Sequence, residues 1–405
     1  MTSDRGRFVL TVFVEGLLID ILARITYQTV GLQLIVVICN YRVMIKSVDD
    51  VLREKLLFNW SDFPPITKDL AGTGGVIRQE LEDFIVEEIP LYLPQGKGSH
   101  AYVRIEKRGI TTRDVVVALL DEGLSQNQIG VAGLKDKFAV ASQWLSVPNR
   151  FAYVLDNLDN LDGVRVLERS RHKNKLGMGH LEGNKFTIRI RDADDDAANK
   201  AKAIVEKLAI IGVPNYFGPQ RFGRFGTNAV DGYKLILGEK LKGGHKLKKF
   251  FLSSLQSLMF NYILAKRIEM NIFDSLILGD WAKKHDTLGV FKVEDLKEAE
   301  RAKRLEVSAT IPLFGKKTKM ADADAGQLEQ DALDYYELKW VNFARRRGDR
   351  RFSRLPMGET KIIEQDDGLT IEFFLRRGSF ATSILREIMK VEVDSKVDRA
   401  KPDSL

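Results

Sequence analysis

Apolar and polar residues alternate along Phe84–Glu88 and again along Ala101–Glu106. That two-residue period predicts strands with one buried face. Between them Pro90–Ser99 is a Pro/Gly-rich connector. Thr111 and Thr112 are placed to cap a helix at Arg113–Glu122, with Val115, Val116, Leu119 and Leu120 on its apolar face and Gly123 as its stop. Ile129–Gly133 and Val140–Val147 predict short strands around a tight turn, and Phe186, Ile188 and Ile190 another strand. Asp194, Asp195 and Asp196 predict a helix start, since carboxylates favour the positive end of the helix dipole. The helix follows through Ala201, Ile204, Val205, Leu208 and Ile211 and ends at Gly212.

Beyond residue 226 the texture changes. Helical spacing recurs at Leu255, Leu258, Met259 and Tyr262, the stretch 292–304 is highly charged, and Lys316–Glu329 is polar and Gly/Ala/Asp-rich. Strand character returns at Leu369–Leu375, and an amphipathic helix from Thr382 carries Ile384, Leu385, Ile388 and Met389. Strands and helices mix without a regular βαβ rhythm, so the fold class is α+β.

The first forty residues differ from the rest. Residues 8–39 are apolar but broken by Glu15, Asp20 and Arg24, and Thr29–Cys39 is interrupted by Gln33. Neither run reaches the ~20 residues of a spanning helix, and Glu15 spoils a signal peptide. Residues 1–43 are therefore read as an N-terminal extension outside the native fold, with Met44 as the initiator. A membrane-associating arm is the alternative.

Composition narrows the chemistry. Of 405 residues, 63 are Lys or Arg and 56 Asp or Glu, a net charge of +7 that is compatible with a nucleic-acid partner without requiring one. The single cysteine, Cys39, excludes a disulfide scaffold and a thiolate zinc site and favours the cytoplasm. Gly72-Thr73-Gly74-Gly75 runs into Val76, and Gly96-Lys97 into Gly98, so neither is a phosphate-binding P-loop. The five histidines are scattered, without an H-x-x-x-H pair. No metal or cofactor is expected, and the chemistry falls to carboxylates, basic groups and aromatics.

Three stretches stand out. Pro214–Gly226 alternates Phe217, Phe222 and Phe225 with glycines and with Arg221 and Arg224. Aromatic faces stack on bases and arginines hold phosphates. A bulged turn whose phenylalanines fill the core is the plainer alternative. In Val131–Trp144, Asp136 sits in a turn between Lys135 and Lys137, where an aspartate is ordinarily a surface turn residue. In Gly378–Glu387, Arg386 lies on a mostly apolar helix, where arginine usually snorkels or pairs. Basic runs at Arg345–Arg354, at Lys242, Lys246, Lys248 and Lys249, and at Arg169, Arg171, Lys173 and Lys175 suggest a phosphate-binding surface.

At these stretches the chain resembles the tRNA pseudouridine synthase D (TruD) family. The motifs are Phe84-Ile85-Val86-Glu87-Glu88, then Gly133-Leu134-Lys135-Asp136 followed by Ala139-Val140 and Gln143-Trp144. Asn215–Gly223 and Gly378–Thr382 complete the set in the family order. The resemblance covers about residues 76–392. It implies a pseudouridine synthase core on a mixed sheet, interrupted by a family-specific α+β insertion. The expected parts are a catalytic domain from 44–226 and 346–405 and an inserted domain from 227–345.

The implied activity is cofactor-free isomerisation of uridine to pseudouridine in tRNA, at position 13 for the family's best-known members. The resemblance makes Asp136 the catalytic carboxylate and Phe217 the platform for the flipped base. By analogy Arg386 is the cation beside Asp136, and Lys135 supplies phosphate or carboxylate electrostatics. Glu88 is expected to position Lys135 or the RNA. Asn215 and Gln220 either bond the uracil edge or brace the loop, and Arg221 belongs to the substrate-binding set. tRNA is the expected partner, a membrane is not, and a monomer is favoured. The competing reading is a non-catalytic RNA-binding protein on the same fold.

Overall fold

The computed structural model of the protein describes residues 8–14, 17–23 and 48–391. The chain divides into two compact units, Met1–Lys55 and Leu56–Leu405. In the first, β1 (Phe8–Val14) and β2 (Leu17–Ala23) form an antiparallel hairpin with Phe8 opposite Ala23. The rest of the segment read as an extension, including Met44, lies outside the described residues. Helix α1 spans Val48–Leu56. Among the described residues no helix is long and apolar enough to cross a membrane.

The second unit is built on one large mixed sheet. Its strands are β3 (Gly74–Val76), β4 (Phe84–Pro90), β5 (His100–Arg108), β6 (Gly130–Val131) and β7 (Val140–Pro148). They are joined by β8 (Val164–His172), β9 (Leu181–Ala193), β16 (Thr360–Gln365) and β17 (Gly368–Arg376). The order is β16-β17-β9-β4-β7-β5-β8, with β3 added to β9 and β6 to β7. Among the described residues only β4 and β7 pair in parallel, Ile85 opposite Val140. This is the expected α+β class with a mixed sheet.

Apolar faces bury the sheet against helices. Helix α4 (Ala197–Ile211) and the C-terminal helix α9 (Ala381–Met389) lay Ala201, Ile204, Leu208, Ile384, Leu385 and Ile388 on Phe186, Ile188, Ile190, Ile371 and Phe373. A second core forms where α2 (Thr112–Asp121) and α3 (Ala152–Asp156) cover Val103, Ile105, Leu145 and Val147. The N-terminal cap of α2 is Thr111, whose hydroxyl accepts from the Asp114 N–H while the Asp114 carboxylate accepts from the Thr111 N–H. That reciprocal box satisfies donors the first helical turn leaves open. The expected start of α4 shifts: Asp196 is the N-cap residue, in a left-handed conformation, and Asp194 pairs instead with Lys200.

The chain then leaves the large sheet through β10 (Val213–Pro214), α5 (Asn228–Ile236) and the 25-residue α6 (His245–Glu269). A four-stranded antiparallel sheet follows. Its strands are β11 (Trp281–Lys284), β12 (Val290–Lys292), β13 (Val307–Leu313) and β14 (Asp349–Phe352), in the order β12-β11-β13-β14. Helices α7 (Ala299–Lys303) and α8 (Ala323–Tyr335) accompany it. The return is β15 (Arg354–Leu355), paired with β10. Because β14 belongs to this smaller sheet, the sheet reaches past residue 345. The polar stretch 316–329 hides the start of α8, whose buried positions Ala325, Leu328, Ala332 and Leu333 are spaced for a helix but share that side with buried Glu329, which breaks the apolar stripe.

Arg354 ties the end of α4 to α7 and to β13 of the smaller sheet. It is 1% exposed and donates to the carbonyls of Ile211, Asp274 and Ala302 and to the Ser308 hydroxyl. Burial lowers its pKa to about 10. Arg354→Leu strips the donors from three carbonyls, and each unsatisfied buried group costs ~1–3 kcal/mol. Stability is expected to fall by at least about 3 kcal/mol, read from the urea unfolding midpoint.

Candidate active site

The loop between β6 and β7 carries two neighbouring charges that part ways. The Lys135 N–H donates to the Thr112 hydroxyl at 2.8 Å, pinning the loop to the start of α2. The Lys135 ammonium turns inward, 3.0 Å from Glu88 Oε2 and 2.6 Å from Asn184 Oδ1. Both ends of this ion pair are buried, and the other Glu88 oxygen accepts the Trp144 N–H at 3.1 Å. Asp136 turns outward, with its side chain 51% exposed. Its carboxylate meets the Arg78 guanidinium at 3.5 Å and the Gln220 amide at 3.4 Å. Beneath it the ammonium of fully buried Lys107 donates to the Asp136 and Ile110 carbonyls. Burial pushes that lysine down to about 8, against the opposing pull of Asp136.

Arg78 comes from the segment between β3 and β4. It is 8% exposed, has a positive φ of 58°, and lies over the Phe84 ring at 4.1 Å. Thus the first residue of the Phe-x-Val-x-Glu strand seats the cation, and its last seats Lys135.

The Gly/Phe segment forms the facing wall. Asn261 clamps Phe217, its side chain accepting the Phe217 N–H at 2.8 Å and donating to the Phe217 carbonyl at 2.9 Å. Gly218 passes close to α9: a Cβ there would stand 2.9 Å from the Thr382 hydroxyl oxygen, so the chain has no room for a side chain. A short 3-10 turn, Pro219–Arg221, follows. Gly218, Pro219, Gln220 and Arg221, with Phe250 of α6 and Phe380 and Thr382 of the C-terminal motif, line a cleft of about 210 Å³. Gln220 both lines this cleft and donates to Asp136, so a single side chain separates the carboxylate from the cleft.

Several expected roles change. Arg386 does not pair with Asp136: its guanidinium donates to the Trp60 carbonyl at 2.6 Å and covers the Trp60 ring at 4.4 Å. Burial lowers its pKa. Helix α9 is amphipathic, and Arg386 faces the aromatic segment around Trp60 instead of the cleft. Lys135 is consumed by Glu88 and Asn184, so it positions the loop and is not open to a phosphate. Phe217 is 4% exposed and offers no free face. Arg351 lies over its ring at 4.2 Å, and Phe260 meets it edge-on at 5.3 Å. Asn215 does not reach the cleft; its side chain donates to the Phe352 carbonyl and accepts from Arg351. Arg221 does line the cleft, between the Phe217 and Phe250 rings.

The run Arg345–Arg354 is likewise not a uniform phosphate surface. Arg350 pairs with buried Glu329. Arg351 is held on Asn215 and Phe217, and burial with Arg221 beside it lowers its pKa to about 9. Arg354 ties α4 to α7 and β13. Arg345 and Arg347 remain exposed. Arg169 pairs with Asp156 and Asp159 on the edge strand β8. By contrast Lys246 and Lys249 stay exposed in the first turn of α6, next to Phe250 of the cleft.

Sequence reasoning missed Arg78, Lys107 and the cleft role of Phe250. No local pattern marks them, because each is brought in from a separate element. Phe380 had a signal, its place in the Gly-Ser-Phe-Ala-Thr motif. Among the described residues no group of three or more His, Cys, Asp or Glu is arranged to hold a metal ion.

The chain thus has a mixed sheet with an outward aspartate on one of its loops, beside an aromatic segment and the start of a C-terminal helix. The crystal structure of a putative tRNA pseudouridine synthase D from Methanosarcina mazei shares this fold, with a TM-score of 0.64 at 24% identity over 84% of this chain and 98% of that one. The family model for tRNA pseudouridine synthase D (TruD) matches residues 64–243 and 241–388. A tRNA pseudouridine synthase D from Thermus thermophilus is 52% identical over 338 residues, 83% of this chain and 95% of that protein. One from Anaeromyxobacter dehalogenans is 40% identical over 84% of this chain and 99% of its own length. The chain belongs to the tRNA pseudouridine synthase D family.

Removing one partner of a buried ion pair strands the other charge, at a typical cost of ~3–5 kcal/mol. Glu88→Ala is therefore expected to destabilise the fold by about 3–5 kcal/mol in chemical denaturation. Asp136→Asn, with its side chain half in solvent, should leave stability nearly unchanged in the same measurement.

Proposed function

We propose that this protein isomerises uridine to pseudouridine in tRNA, at position 13, with Asp136 as the catalytic carboxylate and no cofactor. One observation carries the reading: the half-exposed Asp136 carboxylate is held between Arg78 and Gln220, and Gln220 lines the neighbouring cleft. The reaction breaks C1′–N1, turns the uracil, forms C1′–C5, releases the C5 hydrogen as a proton to water and leaves N1 to take up a proton, so the product is an isomer of the substrate. Nothing is oxidised or reduced. Asp136 serves as nucleophile or as charge stabiliser, and the Arg78 guanidinium 3.5 Å away orients it.

A base paired or stacked in tRNA must first leave its neighbours, at a cost of a few kcal/mol. The cleft wall of Phe250 and Phe380 offers the extruded uracil apolar contact, and Arg221 beside it offers charge. Exposed Lys246 and Lys249 border the same wall and suit the phosphate backbone. All these residues come from one chain, so a monomer suffices. The insertion between 227 and 345 contributes α6 to that wall, and we assign it the closing of the cleft over RNA. The compartment that fits tRNA and a single cysteine is the cytoplasm.

Tritium release from C5-tritiated uridine in tRNA tests the reaction. The native chain should release it, and Asp136→Asn should lose turnover by at least about a thousandfold, ~4 kcal/mol of barrier, while tRNA affinity stays within a few-fold. Substantial remaining turnover would remove Asp136 from the chemistry. A protein that binds tRNA but releases no tritium would be the non-catalytic RNA binder. Arg78→Met is expected to cut kcat strongly with little change in KM. Arg78→Lys, which keeps the charge, should recover much of it in the same assay.

A further inference from the structure

The three phenylalanines of the Gly/Phe segment have different fates. Phe217 and Phe222 are buried at 4% and 0% exposure, and Phe222 stacks on Phe58 at 4.2 Å with an 8° interplanar angle. Phe225 is 76% exposed. We propose that Phe225 is a stacking platform for an unpaired tRNA base near the target uridine, a contact outside the catalytic cleft. This rests on the proposed tRNA substrate.

Single exposed apolar side chains are common, so exposure alone decides nothing. The turn beneath Phe225 decides more. Gly223 and Gly226 hold φ of 79° and 69°, the left-handed region that disfavours a side chain. The Gly226 N–H donates to the Gly223 carbonyl at 3.0 Å, the Asn228 N–H to the Phe222 carbonyl at 3.0 Å, and the Phe58 N–H to the Gly226 carbonyl at 3.1 Å. A Cβ on Gly226 would stand 2.7 Å from the Phe58 carbonyl oxygen. The ring is thus presented to solvent by a rigid support, and little backbone freedom remains to be lost on binding.

Position and charge select the occupant. Arg221 lines the cleft and Phe225 follows four residues later, so their Cα atoms are at most about 14 Å apart. A stacked strand rises ~3.4 Å per nucleotide, which puts within reach a base a few nucleotides from the uridine in the cleft. The uridine itself must sit at Asp136, beside Gln220. Arg224 is exposed with its guanidinium 5.4 Å from the Phe225 ring centre, and Lys246 and Lys249 border the cleft wall. A base with a flat π face and an anionic backbone fits this cationic setting, whereas an apolar protein surface does not. Every base has such a face, so the contact adds affinity with little sequence preference.

The test compares Phe225→Ala, Phe225→Leu and Phe225→Trp in the full-length chain, using unmodified tRNA and anisotropy for Kd. Their melting temperatures should match the native protein, since the side chain is exposed. Phe225→Ala is expected to raise Kd and KM between about five- and 150-fold, the usual worth of a base–aromatic stack. The single-turnover rate at saturating tRNA should stay within about twofold. Phe225→Trp should restore affinity and Phe225→Leu should not. Native affinity in Phe225→Ala, full rescue by leucine, or a loss confined to the saturating rate would each overturn the proposal. If the native chain released no tritium from tRNA, the enzymatic reading would fall instead, and the Kd series would still report on the stacking contact.

Discussion

The buried pair between Lys135 and Glu88 decides where the chemistry of this protein points. Lys135 and Asp136 are consecutive, and one backbone cannot send both charges into the same low-dielectric interior. Glu88 is 2% exposed and would be a stranded charge without a cation. The ammonium satisfies it, with Asn184 as a second acceptor. Once Lys135 is committed to the interior, Asp136 turns to the open side of the loop, toward Arg78 and Gln220. Such a pair adds little net stability over an apolar equivalent; its value here is orientation.

The cleft is assembled from distant parts of the chain. β6 and β7 supply the loop, the Gly/Phe segment and α6 one wall, and the start of α9 the other. Arginines join these parts because a planar guanidinium presents several donors in a fixed fork. Arg354 ties the end of α4, which packs on the large sheet, to α7 and the small sheet, and Arg351, on β14, braces Asn215 and covers Phe217. The smaller sheet therefore does more than append a surface: its strand β14 holds the back of the segment whose front lines the cleft. Asn261 adds a second hold from α6.

Much of this fold was legible along the chain. Phe84–Pro90, His100–Arg108 and Gly368–Arg376 alternate as strands because one face is buried, and α2 carries its own cap and stop. β8 and α8 were not legible. β8 is a charged edge strand whose Arg169 reads as part of a basic run, and α8 buries Glu329 among its leucines and alanines, which interrupts the apolar stripe. The four family motifs held the aspartate loop, the Gly/Phe segment and the C-terminal helix start; the last two line one cleft, and the loop touches it through the Asp136–Gln220 contact.

Local pattern by itself determined the α+β class and most strands, since periodicity and turn chemistry depend on near neighbours; read locally, Asp136 was an ordinary turn residue, and the family motifs, not spacing, set it beside Gln220 and Arg221 as a site candidate. Which arginine stands beside Asp136 was decided only in three dimensions, where Arg78 takes that place and Arg386 turns to Trp60. The same holds for which phenylalanine faces water and which of the basic residues are spent inside the protein. Burial and charge pairing are properties of contacts between distant segments, and no spacing along a single chain encodes the partner a side chain will meet.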